Sequence, residues 1–302
     1  MSTLDFLYDD YNSRYNLLKE NKSSLVHYTG LDGALGILKG QNLWLRKITL
    51  MNDSSEFSYG QELVKNWAIR NKAALAALSE KLQFDFFRML TFQDSTHWET
   101  IKENTYSISL SEHLSHEDKL GRLSMWRGYG RAGGVALVVD PRFLEDEDEK
   151  SSAHSLPARY WDMNDIDQFL GDLGHKLYEL NTNTLDRGTF ADEVYFSFLL
   201  FLMSVKHPGF LEEREWRLVA NLNTLGSKLL SEATVKIHNE NQSILRFDLN
   251  GEGMYNIKNS LKKIIIGPSE VAEESSDELK QALACNKIDV PIIISDIPFR
   301  EY

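Results

Sequence analysis

Residues 25–47 read LVHYTGLDGALGILKGQNLWLRK, and how they are read decides the fold. Leu25 to Thr29 is a short β-prone run, and Gly30 breaks it. Leu31, Leu35 and Leu38 then follow at helical spacing until Gly40 stops the helix. Asn42 to Lys47 places Leu43 and Leu45 on one side and Trp44 and Arg46 on the other, which is the period of a strand. The stretch is therefore strand, turn, helix, stop, strand.

Outward from it, Met51 to Glu56 reads as a turn capping a helix, with Asn52 or Asp53 as the cap and Glu56 closing a capping box. From Phe57 to about Ile101 the pattern is helical and free of proline, long enough for two or three helices. A β-run at Thr105 to Ser111, a helix around Leu120 to Tyr129 and a central strand at Val135 to Val139 come next. Glu145 to Ser152 is a charged, serine-rich loop or insertion edge. Helices are expected at Ile166 to Leu180 and Ala191 to Val205, and a strand at Glu213 to Ala220. Further strands follow near Val235 to His238, Ile244 to Phe247, Lys263 to Ile266 and Val290 to Ile294, with a helix between Glu270 and Ala284. Strands dominate both ends and helices the middle. The expected architecture is a single α+β domain over residues 1–302, a sheet core with helical insertions at about 57–102 and 160–205.

The chain has 302 residues, 42% of them hydrophobic, enough to bury a sizeable core. Its formal charge of −12 opposes non-specific attraction to nucleic acid and anionic lipid. The only cysteine, Cys285, cannot form an intramolecular disulfide, which agrees with a reducing compartment and removes thiolate-rich metal sites. Met1 to Tyr11 does not read as a secretory signal, and the apolar stretch Val194 to Val205 falls short of a membrane span. A cytoplasmic protein without a membrane partner is expected.

Four constellations could carry chemistry. In an extended strand Glu213, Glu215 and Arg217 share one face, so two carboxylates would lie side by side with a guanidinium to tune them. The same pattern also suits a solvated face with an ion pair. His27 ends an apolar run at a strand edge, where a histidine binds or acts as a base, or packs as a satisfied polar residue. Ser107 and Ser109 share a strand face and could orient a ribose or bond neighbouring backbone. Trp126 and Tyr129, with Gly128 and Gly130 between and after them, suit stacking on a planar ring or packing inward together. Asp53 and His27 have no strong metal spacing, and no Gly-rich phosphate loop, His-Glu-x-x-His or Gly-x-Ser-x-Gly occurs.

Taken in order, His27-Tyr28-Thr29, Asn52-Asp53-x-x-Glu56, Ser107-x-Ser109, Met125-Trp126-x-x-Tyr129, Gly134-Val135 and Glu213-x-Glu215-Trp216-Arg217 resemble a widespread bacterial family of uncharacterised domains, from about Leu25 to Gly267. More distantly, the chain is similar to the ADP-ribosyltransferase superfamily. There a first-strand histidine or arginine, a central-strand serine motif or tyrosine and a late-strand glutamate surround nicotinamide adenine dinucleotide (NAD). That similarity implies an ADP-ribosyltransferase-like, mixed but mainly antiparallel sheet. It implies that His27 holds the adenosine ribose or nicotinamide carboxamide, with Tyr28, Thr29, Ser107, Ser109 and Arg217 completing the binding set. Tyr129 or Trp126 would stack on the nicotinamide, Glu215 would stabilise an oxocarbenium-like transition state, and Glu213 would orient the acceptor.

The expected function is an NAD-dependent ADP-ribosyltransferase or NAD-consuming enzyme, a bacterial toxin or phage-defence effector as the resemblance implies. NAD would be its substrate, a protein or nucleic acid its acceptor, and no metal is expected. Two alternatives stand beside it: a non-catalytic nucleotide-binding sensor, and a metal-dependent hydrolase built from His27, Asp53, Glu56 and Glu215.

Overall fold

The computed structural model describes residues 9–50, 54–130, 133–144, 153–182, 186–222, 229–237 and 240–298. Asn52, Asp53, the side chain of Glu56 and the charged stretch Glu145 to Ser152 lie outside the described residues.

In chain order the elements are α1 (Asp9–Glu20), β1 (Ser24–Gly30), α2 (Leu31–Gly40), β2 (Asn42–Lys47), α3 (Ser54–Arg70), α4 (Lys72–Leu82), α5 (Phe86–Leu90) and α6 (Ser95–Glu103). Next come β3 (Thr105–His113), α7 (Leu123–Met125), β4 (Gly134–Val139), β5 (Ala153–Pro157), β6 (Arg159–Tyr160), α8 (Met163–Glu179), α9 (Arg187–Ser204) and β7 (Val205–Lys206). Last are β8 (Glu215–Asn221), β9 (Leu230–Ile237), β10 (Glu240–Asp248), α10 (Ile257–Ser260), β11 (Leu261–Ile266), α11 (Ala272–Cys285) and β12 (Ile292–Ile294). The strand–helix–strand reading of residues 25–47 holds to within a residue at each boundary. Gln41 caps α2 in the left-handed region just after Gly40.

These elements fall into two compact units: residues 1–11, 47–105 and 156–212, and residues 12–46, 106–155 and 213–302. The second contains the sheet, with strand order β12-β11-β4-β1-β3-β2-β10-β9 and β8 also alongside β3. The pairings of β1 with β3 and β4, of β10 with β2 and β9, and of β11 with β4 are antiparallel, and β11 with β12 is parallel. The sheet is thus mixed and mainly antiparallel. The Val135 to Val139 run is central, between β1 and β11, which explains why every position is apolar.

On one face of this sheet Val26, Tyr28, Ala136, Val138 and Ile265 pack with Met125 and Trp126. On β1 that leaves Leu25, His27 and Thr29 for the other face, where Gly33 of α2 lies so close to Thr29 that a Cβ would stand 2.4 Å from its hydroxyl oxygen.

The first unit is helical. Val64, Trp67, Leu78, Phe86, Leu170 and Phe201 are among its buried core. Asp162 starts α8 with a capping box, its side chain accepting from the backbone N–H groups of Asn164 and Asp165. The apolar run expected to be a buried helix lies in α9, where Leu199, Leu200, Phe201 and Leu202 are all buried. Among the described residues no helix is long and apolar enough to cross a membrane.

Candidate functional site

The ladder between β1 and β3 runs over Ser24–His113, Leu25–Glu112 and Val26–Ser111, and no further pair is formed. At the next position the ring of His27 takes over: its Nδ1 lies 3.0 Å from the carbonyl oxygen of Ser109. A carbonyl only accepts, so Nδ1 carries the hydrogen and Nε2 keeps its lone pair. Burial holds the imidazole below its ordinary value of 6.5, outweighing the carbonyl contact, so the ring is neutral at pH 7. Two residues along β3, the buried Ser107 hydroxyl has no hydrogen-bond partner among the described residues. Ser111 pairs with Val26 and shares the Tyr28 face, so by alternation Ser109 and Ser107 lie on that face too, whereas His27 points to the other; Ser109 is partly exposed.

Tyr28 points to the opposite face. Its hydroxyl accepts from the backbone N–H of Arg122 at 2.9 Å and lies 2.6 Å from His113 Nε2. His113 Nδ1 in turn faces Asp118 Oδ1 at 3.3 Å, and Asp118 also accepts from the Ser24 hydroxyl and pairs with Lys263. Burial pushes the Tyr28 phenol up to about 12 and, aided by the Arg122 charge, pulls His113 below its ordinary value. Burial alone would raise Asp118, but hydrogen bonds from His113 and Ser24 and the charge of Lys263 hold it low. The expectation that Tyr28 belongs with the ligand-binding residues is not met, because its hydroxyl is engaged within the core.

Trp126 and Tyr129 separate as well. The chain leaves α7 through a π-helical turn, Trp126–Gly130, instead of a longer α-helix. Trp126 is buried edge-to-face against Tyr28 at 4.7 Å, and its indole N–H donates to Leu120 O at 3.0 Å. Three glycines make room for it: a Cβ on Gly121, Gly130 or Gly267 would stand 2.5, 3.0 or 2.9 Å from the indole. Gly130 and Gly134 also touch backbone to backbone, since a Cβ on Gly134 would meet Gly130 Cα at 2.4 Å. Trp126 is therefore a core residue, not a stacking platform. Tyr129 is 39% exposed and donates to Glu213 Oε1 at 2.9 Å.

The carboxylates part in the same way. Strand β8 starts only at Glu215; Glu213 ends a 3-10 turn (Pro208–Glu213), and Arg214 between them has a φ of 45°. A left-handed residue breaks the alternation that would have put both glutamates on one strand face, so that expectation is overturned. Glu215, 4% exposed, instead meets Arg217 in a two-pronged ion pair of 2.8 and 2.9 Å. These two do share a strand face, as the spacing predicts.

What holds Arg214 was not visible in the sequence. Its guanidinium meets both oxygens of Glu117 at 2.5 and 2.6 Å, and its carbonyl accepts from Glu112 N at 2.8 Å. The buried Arg122 donates to the Ser111 hydroxyl and to the Glu213 carbonyl, and Ser111 also donates to that carbonyl. Arg122, Glu117, His113 and Asp118 are thus missed members of the neighbourhood. Only the density of residues 113–122, where His113, Ser115, His116, Glu117, Asp118, Lys119 and Arg122 are all charged or polar, could have marked them.

Among the described residues no group of three or more histidine, cysteine, aspartate or glutamate side chains is placed to hold a metal ion. Asp53 and the Glu56 side chain, two members of the hydrolase reading, lie outside the described residues.

No curated protein and no solved structure matches the chain. Residues 125–218, from Met125 at the head of the Trp126 turn to Leu218 in β8, match the family model described as a protein of unknown function, DUF2971.

Proposed function

We propose that the chain is an NAD-consuming enzyme of the ADP-ribosyltransferase type. The observation that supports this reading is neutral His27 at the point where β1 and β3 part beyond Val26 and Ser111, with Nε2 offered as an acceptor. A ribose hydroxyl or a carboxamide N–H would donate to it. In the reaction the bond between nicotinamide and ribose C1′ breaks and its electron pair leaves with nicotinamide. An acceptor nucleophile or water then forms the new bond to C1′ and gives up its proton. Glu215 is assigned to the positive charge that develops on the ribose, and Glu213, held by Tyr129, to the acceptor.

The second reading is a nucleotide-binding sensor without catalysis. It is favoured by the closure of Glu215 against Arg217, which leaves little carboxylate surface for a substrate.

The deciding experiment is nicotinamide release from NAD by the purified full chain, native and Glu215→Gln, with and without cell lysate. Release that disappears in a folded Glu215→Gln supports the enzyme. Release unchanged in that variant overturns the assignment of Glu215, and saturable NAD binding without release selects the sensor.

A further inference from the structure

The strand order leaves β9 at one end of the sheet, paired with β10 and with no other strand among the described residues. At the opposite end β12 has only 3 residues, too short an edge to invite a neighbour. β9 runs for 8, and its Ser231, Glu232, Thr234 and Lys236 are exposed. Its free side can be read from one bond: the backbone N–H of Asp248 donates to the carbonyl of Leu229 at 2.7 Å. Those two residues continue the register that pairs Phe247 with Leu230, so even positions of β10 bond odd positions of β9. The backbone N–H and C=O groups of Glu232, Thr234 and Lys236 therefore point away from β10, out of the sheet edge.

Charges on an open edge ordinarily repel a second strand. Here their spacing suits one particular partner. Glu232 and Lys236 stand about 13 Å apart along the strand, too far to pair with each other. Neither has an ion-pair partner among the described residues. A twofold axis through Thr234 brings a second copy of β9 alongside antiparallel, with Glu232 opposite Lys236 of the partner subunit, Ala233 opposite Val235 and Thr234 opposite itself. In that register the outward groups of Glu232, Thr234 and Lys236 meet their counterparts and close about six hydrogen bonds. An axis through Glu232 or Lys236 would set like charges face to face, and one through Ala233 or Val235 would leave both charges unmatched.

We propose that β9 is a self-association edge, through which two copies of the chain join antiparallel about Thr234 and their sheets become continuous. One strand edge per copy buries little surface, so the dimer forms and dissociates with concentration. None of the residues assigned to NAD takes part.

The test follows the full chain by sedimentation velocity over rising concentration, where the native protein is expected to dimerise. Glu232→Lys sets lysine against lysine and Lys236→Glu sets glutamate against glutamate, so each should weaken the dimer on the order of tenfold. Both substitutions in one chain exchange the charges and should restore it. An equimolar mixture of the two single variants should likewise form a mixed dimer. Thr234→Pro removes an outward N–H and no bond to β10, and should abolish association; the charge variants carry the test if it does not fold. A native chain that stays monomeric up to about 1 mM overturns the proposal. So does a dimer indifferent to both single substitutions, or one that the paired substitution fails to restore.

Discussion

Tyr129 donates its hydroxyl hydrogen to Glu213 at 2.9 Å, while Glu215, two residues further on, is turned away and closed on Arg217. The left-handed Arg214 between them gives the two glutamates different environments, one partly exposed and one buried. Their substitutions should therefore separate.

For the exposed pair, Tyr129→Phe and Glu213→Gln should each lower the unfolding free energy measured in urea by no more than about 0.5–1.5 kcal/mol, the range of a single hydrogen bond. The double variant should add little to either, as expected for partners in one bond. If Glu213 orients the acceptor, Glu213→Gln lowers transfer to acceptor more than it lowers nicotinamide release. Equal loss of both would remove that role.

The buried pair should behave otherwise. Arg217→Ala strands the Glu215 carboxylate and is expected to cost about 3–5 kcal/mol by equilibrium unfolding. Replacing both, as Glu215→Gln with Arg217→Met, should cost less than Arg217→Ala alone. A double variant less stable than that single one would mean the ion pair stabilises the fold outright.

Trp126 supplies a packing test. Trp126→Ala should cost about 3–5 kcal/mol through the lost contacts and the cavity left behind. Gly267→Ala, whose Cβ would stand 2.9 Å from the indole, should also destabilise, by about 1–3 kcal/mol. Trp126→Phe combined with Gly267→Ala should recover part of that loss. Additive losses in the double variant would show that the two do not compete for one space.

Acid should weaken the fold in two steps. His27 and His113 are held below 6.5 by burial, so below about pH 6.5 the unfolded chain binds more protons than the folded one and stability falls with pH. That contribution is complete above about pH 6.5 and is lost toward the lowered folded values. A second loss begins near about pH 4, as the unfolded-state carboxyls protonate. There Asp118 is held low by His113, Lys263 and Ser24 against burial, and Asp140 is held at about 2 by Arg142 and Lys262, again against burial. Urea midpoints followed from about pH 8 to pH 4 should decline from about pH 6.5, less steeply in His27→Gln. A midpoint that rises as pH drops below 6.5 would contradict the neutral state of both rings.

Local pattern made much of the fold readable. The alternation of Leu43, Trp44, Leu45 and Arg46, and the stops at Gly30 and Gly40, depend on neighbours in sequence alone. The environment of Trp126 depends on Gly121 and Gly267, the latter far along the chain, and no periodicity reports such a meeting. The break before β8 was hidden because a left-handed arginine is rare and is imposed by Glu117 and Glu112, residues that arrive from another part of the chain. Ser107 and Ser109 share a strand face as their spacing predicts, whereas the contact of His27 Nδ1 with the Ser109 carbonyl depends on where β1 and β3 part, which no periodicity reports. Tyr28 was misplaced for the opposite reason: alternation sends it to the other face, but only the fold shows that this face is the core.

The chain of contacts from Arg122 through Tyr28 and His113 to Asp118 has a direction. In the tautomer that carries its hydrogen on Nδ1, 3.3 Å from the carboxylate, His113 accepts at Nε2 from the Tyr28 hydroxyl, which itself accepts from the Arg122 amide. Every hydrogen points the same way, toward Asp118. No single link can reverse without its neighbours reversing too, and the amide at one end has no second hydrogen to offer. Moving the segment before Trp126 would break the row at its amide end. The Tyr28 phenol hydrogen is buried, and its exchange rate would report whether the row is intact.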